Sequence, residues 1–171
     1  MKIKIKKGKH YPFPYFFWAR PIWVRKNKST FKRADFRFTD SCMFNLKDED
    51  QHDVNKLFGF SIGHHQKNSS FRIGWRPILD KNKIEIVAYE YHDGVRQATK
   101  SMGLVNLNQW YRCNVVYLPI FNKSYFRFGT LETETHVELK KKSGLGYTLG
   151  VYFGGNEKAP QDITILKRIK G

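Results

Sequence analysis

A chain of 171 residues can bury one sizeable core, and its 31 Lys and Arg against 15 Asp and Glu leave a formal charge of +16. That excess calls for an acidic counterpart such as nucleic acid, an anionic glycan or an acidic protein. Two distant cysteines, Cys42 and Cys113, exclude a CxxC zinc cluster and a disulfide framework, and no GxGxxG or GxxxxGK phosphate loop appears, so no cofactor is expected.

The chain opens on Met1 to Lys7, where Met1, Ile3 and Ile5 alternate with Lys2, Lys4 and Lys6. Side chains in a strand change face at every residue, so this reads as a strand with an apolar side and a lysine edge that discourages further pairing. The opening lacks the apolar stretch of a signal peptide, and no run approaches the ~20 apolar residues of a membrane span. The expected location is a virion or the cytoplasm of the producing cell, with no membrane partner. His10 to Trp18 follows, stiffened by Pro12 and Pro14 and dense in rings. Proline there disfavours a helix or central strand. Tyr11, Phe13, Tyr15, Phe16, Phe17 and Trp18 are expected to form an interface with a neighbouring protein subunit.

Ile22 to Arg25 reads as a short strand, Lys26 to Thr30 as a turn, and Phe31, Phe36 and Phe38 mark an alternating segment running to Phe44. Lys47 to Asp53 is acidic, but its carboxylates lack the ordered spacing of a calcium loop, so a solvated loop or short helix is expected and no metal.

Leu57 to Arg96 is the clearest stretch. Phe58, Phe60 and Ile62, then Phe71, Ile73 and Trp75, then Ile84, Ile86 and Ala88 each occupy one side of a period-two run. Turn-rich breaks separate the runs, and Asp93-Gly94 is the dipeptide that favours a tight hairpin. This is an antiparallel meander. On its other side stand Arg72 and Arg76, Glu85, Tyr89 and Tyr91. Arginine offers planar donors for carboxylates and tyrosine a flat ring for sugar faces, so this side is a candidate glycan or partner surface. An Arg–Glu85 pair covering an exposed sheet is the simpler use of the same residues. His64-His65 follows the first run; paired histidines suit a general base or metal ligands, but with no further His, Asp or Glu cluster at ligand spacing they read as a loop polar pair, with His64 a glycan- or partner-binding candidate.

The second half continues in short strands at Trp110 to Leu118, Ser124 to Thr130, Glu132 to Lys142 (with Val137 and Leu139 apolar), Gly144 to Phe153, and a last strand at Ile163 and Ile165. Helical periodicity is absent. The fold class is therefore all-β, a two-sheet antiparallel sandwich in a single domain over 1–171, with 1–53 as N-terminal strand and loops and 54–169 as the core.

The order NKLFGF, RIGWR and IEIVAYEYHDG, then NQWYRCNVVY and GVYFGGNEKAPQDITI, resembles the concanavalin A-like, laminin G-type jelly roll of lectins and polysaccharide lyases. The resemblance covers about residues 54–169. It implies a curved sheet whose concave face binds ligand, with Arg72, Arg76, Tyr89 and Tyr91 on it and the first and last strands paired. It also implies that a lyase would recruit Arg72, Arg76, His64 and Tyr89. The lyases' Gln-x-His and Tyr-Phe-Lys motifs are missing, and Tyr152-Phe153-Gly154 stands where the lysine is expected. Tyr152 is kept as a binding candidate, and no turnover is expected. A composition rich in Lys, Asn, Phe, Tyr and Ile further resembles Bacteroidetes phage proteins. That resemblance implies a non-catalytic virion accessory, in the capsid or at a fibre attachment, gripping acidic protein subunits; an acidic-glycan module is the alternative. Nucleic acid follows from charge alone.

Overall fold

A computed structural model describes residues 1–13 and 20–169. Its strands are β1 (Lys2–Ile5), β2 (Pro21–Val24), β3 (Thr30–Phe38), β4 (Asn55–Ile62), β5 (Ser69–Ile78), β6 (Lys83–His92), β7 (Val95–Arg96), β8 (Lys100–Asn106), β9 (Tyr111–Leu118), β10 (Lys123–Phe128), β11 (Leu131–His136), β12 (Gly144–Leu149) and β13 (Ile163–Arg168). Among the described residues the only helices are single 3-10 turns, one of them Glu49–His52 in the acidic loop. None is long and apolar enough to cross a membrane.

Two antiparallel sheets face each other. One runs β1-β13-β3-β9-β10-β11; the other runs β2-β12-β4-β5-β6, and β7 and β8 pair successive stretches of β6. Chain ends meet as the jelly-roll resemblance implies, with Ile3 opposite Ile165 and Ile5 opposite Ile163. The meander holds its register: Phe71, Ile73 and Trp75 are fully buried, as are Phe60, Ile84 and Ile86. Trp75 sits against Phe38 and Phe44, at ring centroids 5.3 and 6.1 Å away. Asp93 and Gly94 both take positive φ (47° and 84°), the two-residue turn whose twist matches that of the strands it joins.

Three local expectations change. Phe31 is 64% exposed, because it has the opposite parity to Ala34, Phe36 and Phe38, which face the core. Gly144 to Phe153 is not one strand: β12 stops at Leu149, and beyond Gly150 the chain turns Val151 and Phe153 into the core, while Leu145 stays 60% exposed. A bulge between Lys56 and Phe58 lets Leu57 and Phe58 both be buried. The acidic loop gathers no metal-ligand cluster among the described residues.

Candidate functional site

The bulge decides where the site forms. It carries Lys56 to the solvent face of the β4–β5–β6 sheet, opposite Gly74, while Leu57 takes a core position. On that face Arg72 of β5 stands directly opposite Tyr89 of β6 and beside Gly59 of β4, and Ser70 stands opposite Tyr91. On the other side of β4, Lys56 pairs with Tyr152 through two backbone hydrogen bonds, Lys56 N to Tyr152 O at 2.8 Å and Tyr152 N to Lys56 O at 2.9 Å. β12 pairs with β4 and brings in Tyr147. The result is a cleft of about 540 Å³ walled by Tyr11, Tyr89, Tyr91, Tyr147 and Tyr152, with Lys56, His65, Ser70 and Arg72 among its polar lining. Gly59 is required at the floor, since a Cβ there would stand 2.0 Å from Phe71 O.

The cleft's charges are cations in apolar company. Arg72 is 6% exposed and donates Nη2 to Gly150 O at 2.8 Å, tying β5 to the break after β12. Lys56 Nζ lies 4.8 Å from the Tyr89 ring centroid and 5.9 Å from that of Tyr152, and the Arg96 guanidinium lies 5.4 Å from the Tyr89 ring. Burial, with the Arg72 and Arg96 charges adding to it and the Asp53 carboxylate outside the lining opposing it only in part, pushes the Lys56 ammonium down to about 8. No Asp or Glu is among the lining residues.

At the cleft's edge is a hydrogen-bonded pair. The Tyr147 hydroxyl accepts the backbone N–H of His65 at 3.2 Å and lies 2.7 Å from His65 Nδ1. Burial, and after it the Arg72 charge, push His65 down to about 4, so the imidazole is neutral at pH 7. With its oxygen accepting from the amide, the phenol is free to donate to an unprotonated Nδ1. Tyr89 is pushed up to about 12 by burial and by Tyr91, and stays a phenol.

No protein-family model and no curated protein matches the chain. Solved structures do. An alginate lyase from Pseudomonas aeruginosa superposes with a TM-score of 0.59 at 10% identity, over 85% of this chain and 64% of its own. An alginate lyase from Alteromonas sp. 272 gives 0.53 at 8% identity, over 97% and 83%. A family 7 alginate lyase with His→Asn and Tyr→Phe substitutions, in complex with substrate, gives 0.53 at 6% identity, over 86% and 61%. The fold is a concanavalin A-like jelly roll. At these identities the likeness is one of fold, and the chain spans under two thirds of the first of these lyases.

Within this jelly roll, Arg72, Tyr89, Tyr91 and Tyr152 converge on the cleft. Arg76 shares their sheet face but lies about 13 Å along β5 from Arg72. It is held by Glu85, with Nε to Oε2 at 2.5 Å, and by His52 O at 2.9 Å. That is the cross-strand pair anticipated as the simpler use, and it takes Arg76 out of the cleft. His64 is displaced too: exposed, its Nδ1 accepts from the backbone N–H groups of Gln66 and Lys67 and stays outside the lining, whereas its neighbour His65 enters. Tyr11 forms part of the cleft wall instead of standing free, because His10 is stacked on Tyr152 at 5.3 Å and its carbonyl accepts from Phe153 N. Phe13 is 89% exposed, and Tyr15, Phe16, Phe17 and Trp18 lie outside the described residues. Of the cleft residues Lys56, His65 and Tyr147, sequence reading named only His65, as half of the His64-His65 pair, and took His64 as the candidate. Only the polar beat of Lys56 just ahead of an apolar run, and Tyr147's place in the Leu145–Leu149 alternation, could have flagged the other two.

Proposed function

We propose that the cleft binds an acidic polysaccharide, with uronate carboxylates on Lys56 and Arg72 and sugar faces against the tyrosine walls. The observation that carries this is Lys56, a half-buried ammonium with depressed basicity, in a lining that contains no carboxylate. A cation withdrawn from water is costly until an anion joins it, so the cleft favours a carboxylate-bearing ligand over a neutral one. Flat tyrosine rings add apolar contact that sugar C–H faces can cover. The likeness to enzymes named for alginate supports the same substrate class. Calorimetric titration with alginate, polygalacturonate and neutral dextran tests it. Binding of the acidic polymers only, lost in Arg72→Gln and Lys56→Gln, supports the reading; equal binding of dextran, or no effect of either variant, sinks it.

The His65–Tyr147 pair favours a second reading, in which the bound polymer is cleaved by β-elimination. There the cations neutralise the uronate carboxylate and acidify the neighbouring C–H, a base takes that proton, and an acid protonates the departing glycosidic oxygen. Tyr147, hydrogen-bonded to neutral His65, has the chemistry for either proton step. Ultraviolet absorbance of the unsaturated product decides between this and the expectation of no turnover, and Tyr147→Phe should abolish any signal. Neither the fold nor the likenesses support the virion-accessory expectation.

A further inference from the structure

The second sheet carries a hollow of its own, on its solvent face and separated from the cleft by the core. β13, β3, β9 and β10 lie side by side there, and the pairing places Asp35 between Arg168 and Arg112. The Asp35 side chain is only 5% exposed and accepts Nε of Arg112 at 3.2 Å and Nε of Arg168 at 3.0 Å. Burial alone would raise its pKa, but the two arginines outweigh that and hold it below the usual carboxylate range. Arg127 is tethered in the same manner, Nε to Gly129 O at 3.2 Å. Trp110 forms a wall, with the Arg168 guanidinium 4.4 Å and that of Arg37 5.4 Å from its ring. The hollow that Asp35, Trp110, Arg112, Asn114, Arg127 and Arg168 line is about 370 Å³, and Arg37 stays outside its lining.

We propose that this hollow is a second binding site, for a tetrahedral oxoanion group borne as a sulfate or phosphate ester. Each of Arg112, Arg127 and Arg168 spends its Nε on the protein, and none of their terminal nitrogens has a protein acceptor among the described residues. A guanidinium fixed through Nε presents its fork without further loss of side-chain freedom, and that fork matches sulfate and phosphate oxygens. The charge balance selects the ligand. Three guanidinium charges less the one carboxylate of Asp35 leave two positive charges in the lining, which a phosphate monoester dianion balances in full and a singly charged sulfate ester in part, while the three terminal oxygens of either ester, unlike the two of a carboxylate, give each fork an acceptor. Trp110 supplies an apolar face for the sugar or ring that carries the ester.

This site does not depend on the polysaccharide reading of the cleft, and its test keeps the two apart. Trp110 is the reporter: its fluorescence is followed while sodium sulfate or inorganic phosphate is added at ionic strength held constant with chloride. The expected result is a saturable change with sulfate and phosphate that Trp110→Phe removes. Arg127→Gln should weaken binding about tenfold, the loss of one charge-assisted contact. Because Arg127 does not touch Asp35, that variant should melt with the wild type, and Arg72→Gln should bind sulfate as the wild type does. A sulfated monosaccharide and a sugar phosphate, compared in the same titration, show by the tighter binder which ester the site serves. A response that tracks ionic strength whatever the anion, or an unchanged affinity in Arg127→Gln, overturns the proposal.

Discussion

Nδ1 of His65 stands 2.7 Å from the hydroxyl of Tyr147, across 82 positions of chain. Two features make that contact: β12 lies against β4, and the tight Gly63 (φ 71°) turns the chain after β4 so that His65 comes back over the sheet. The neutral imidazole follows from burial beside two cations, Arg72 and Lys56.

That neutrality should be visible in stability against pH. His65 takes up its proton near 6.5 when unfolded and only near about 4 when folded, so the unfolded state binds more protons in between. Stability must therefore fall as pH drops from 6.5 towards 4, and this contribution is absent in His65→Gln. After allowance for partial exposure the difference is on the order of 1–2 kcal/mol. Urea midpoints of both proteins at pH 7 and pH 4.5 check it; parallel losses would contradict the assignment.

Lys56→Met should leave the protein more stable and unable to hold an anionic ligand. The ammonium is pushed down to about 8 from an ordinary 10.5, so its charged form is disfavoured in the fold. Below pH 8 the wild type bears the whole of that penalty, about 1–2 kcal/mol once solvent screening is allowed for. Between pH 8 and 10.5 the amine loses its proton, and the two stabilities should converge. Thermal melts across that range, paired with alginate titration, give both halves.

Gly59→Ala should damage fold and site together. Its Cβ would come within 2.0 Å of Phe71 O and 2.8 Å of Arg72 Cα, so β5 has to move and Arg72 with it. A loss of stability of about 1–3 kcal/mol and weaker glycan binding are expected, against little change for Gly8→Ala in binding, where nothing lies within 4 Å. Denaturant melts and titration of the same preparations would show it.

Two aromatic truncations should differ sharply. Trp75→Ala removes a fully buried ring packed on Phe38 and Phe44 and should cost roughly 3–5 kcal/mol or prevent folding. Phe31→Ala, at a position 64% exposed, should fall within about 0.5 kcal/mol of the wild type. Similar costs for both would contradict the face assignment of β3.

The period-two alternation by itself determined the sandwich, because each strand must choose one face for the core. It put Phe71, Ile73 and Trp75 inside and Arg72, Tyr89 and Tyr91 on the other face, and it gave Ile3, Ile5, Ile163 and Ile165 the core side of their strands. Alternation says which way a side chain points but not which strand lies next to it, nor how a loop folds back. Those decisions belong to the tertiary structure. The bulge after Lys56 turned a residue just outside the legible run into the cleft's second cation. The turn after Gly63 chose His65 over His64, and Glu85 and His52 captured Arg76. Tyr147 reached the same cleft only because β12, distant in sequence, completes the sheet beside β4. Such contacts form between strands separated by tens of residues, so no local pattern carries them.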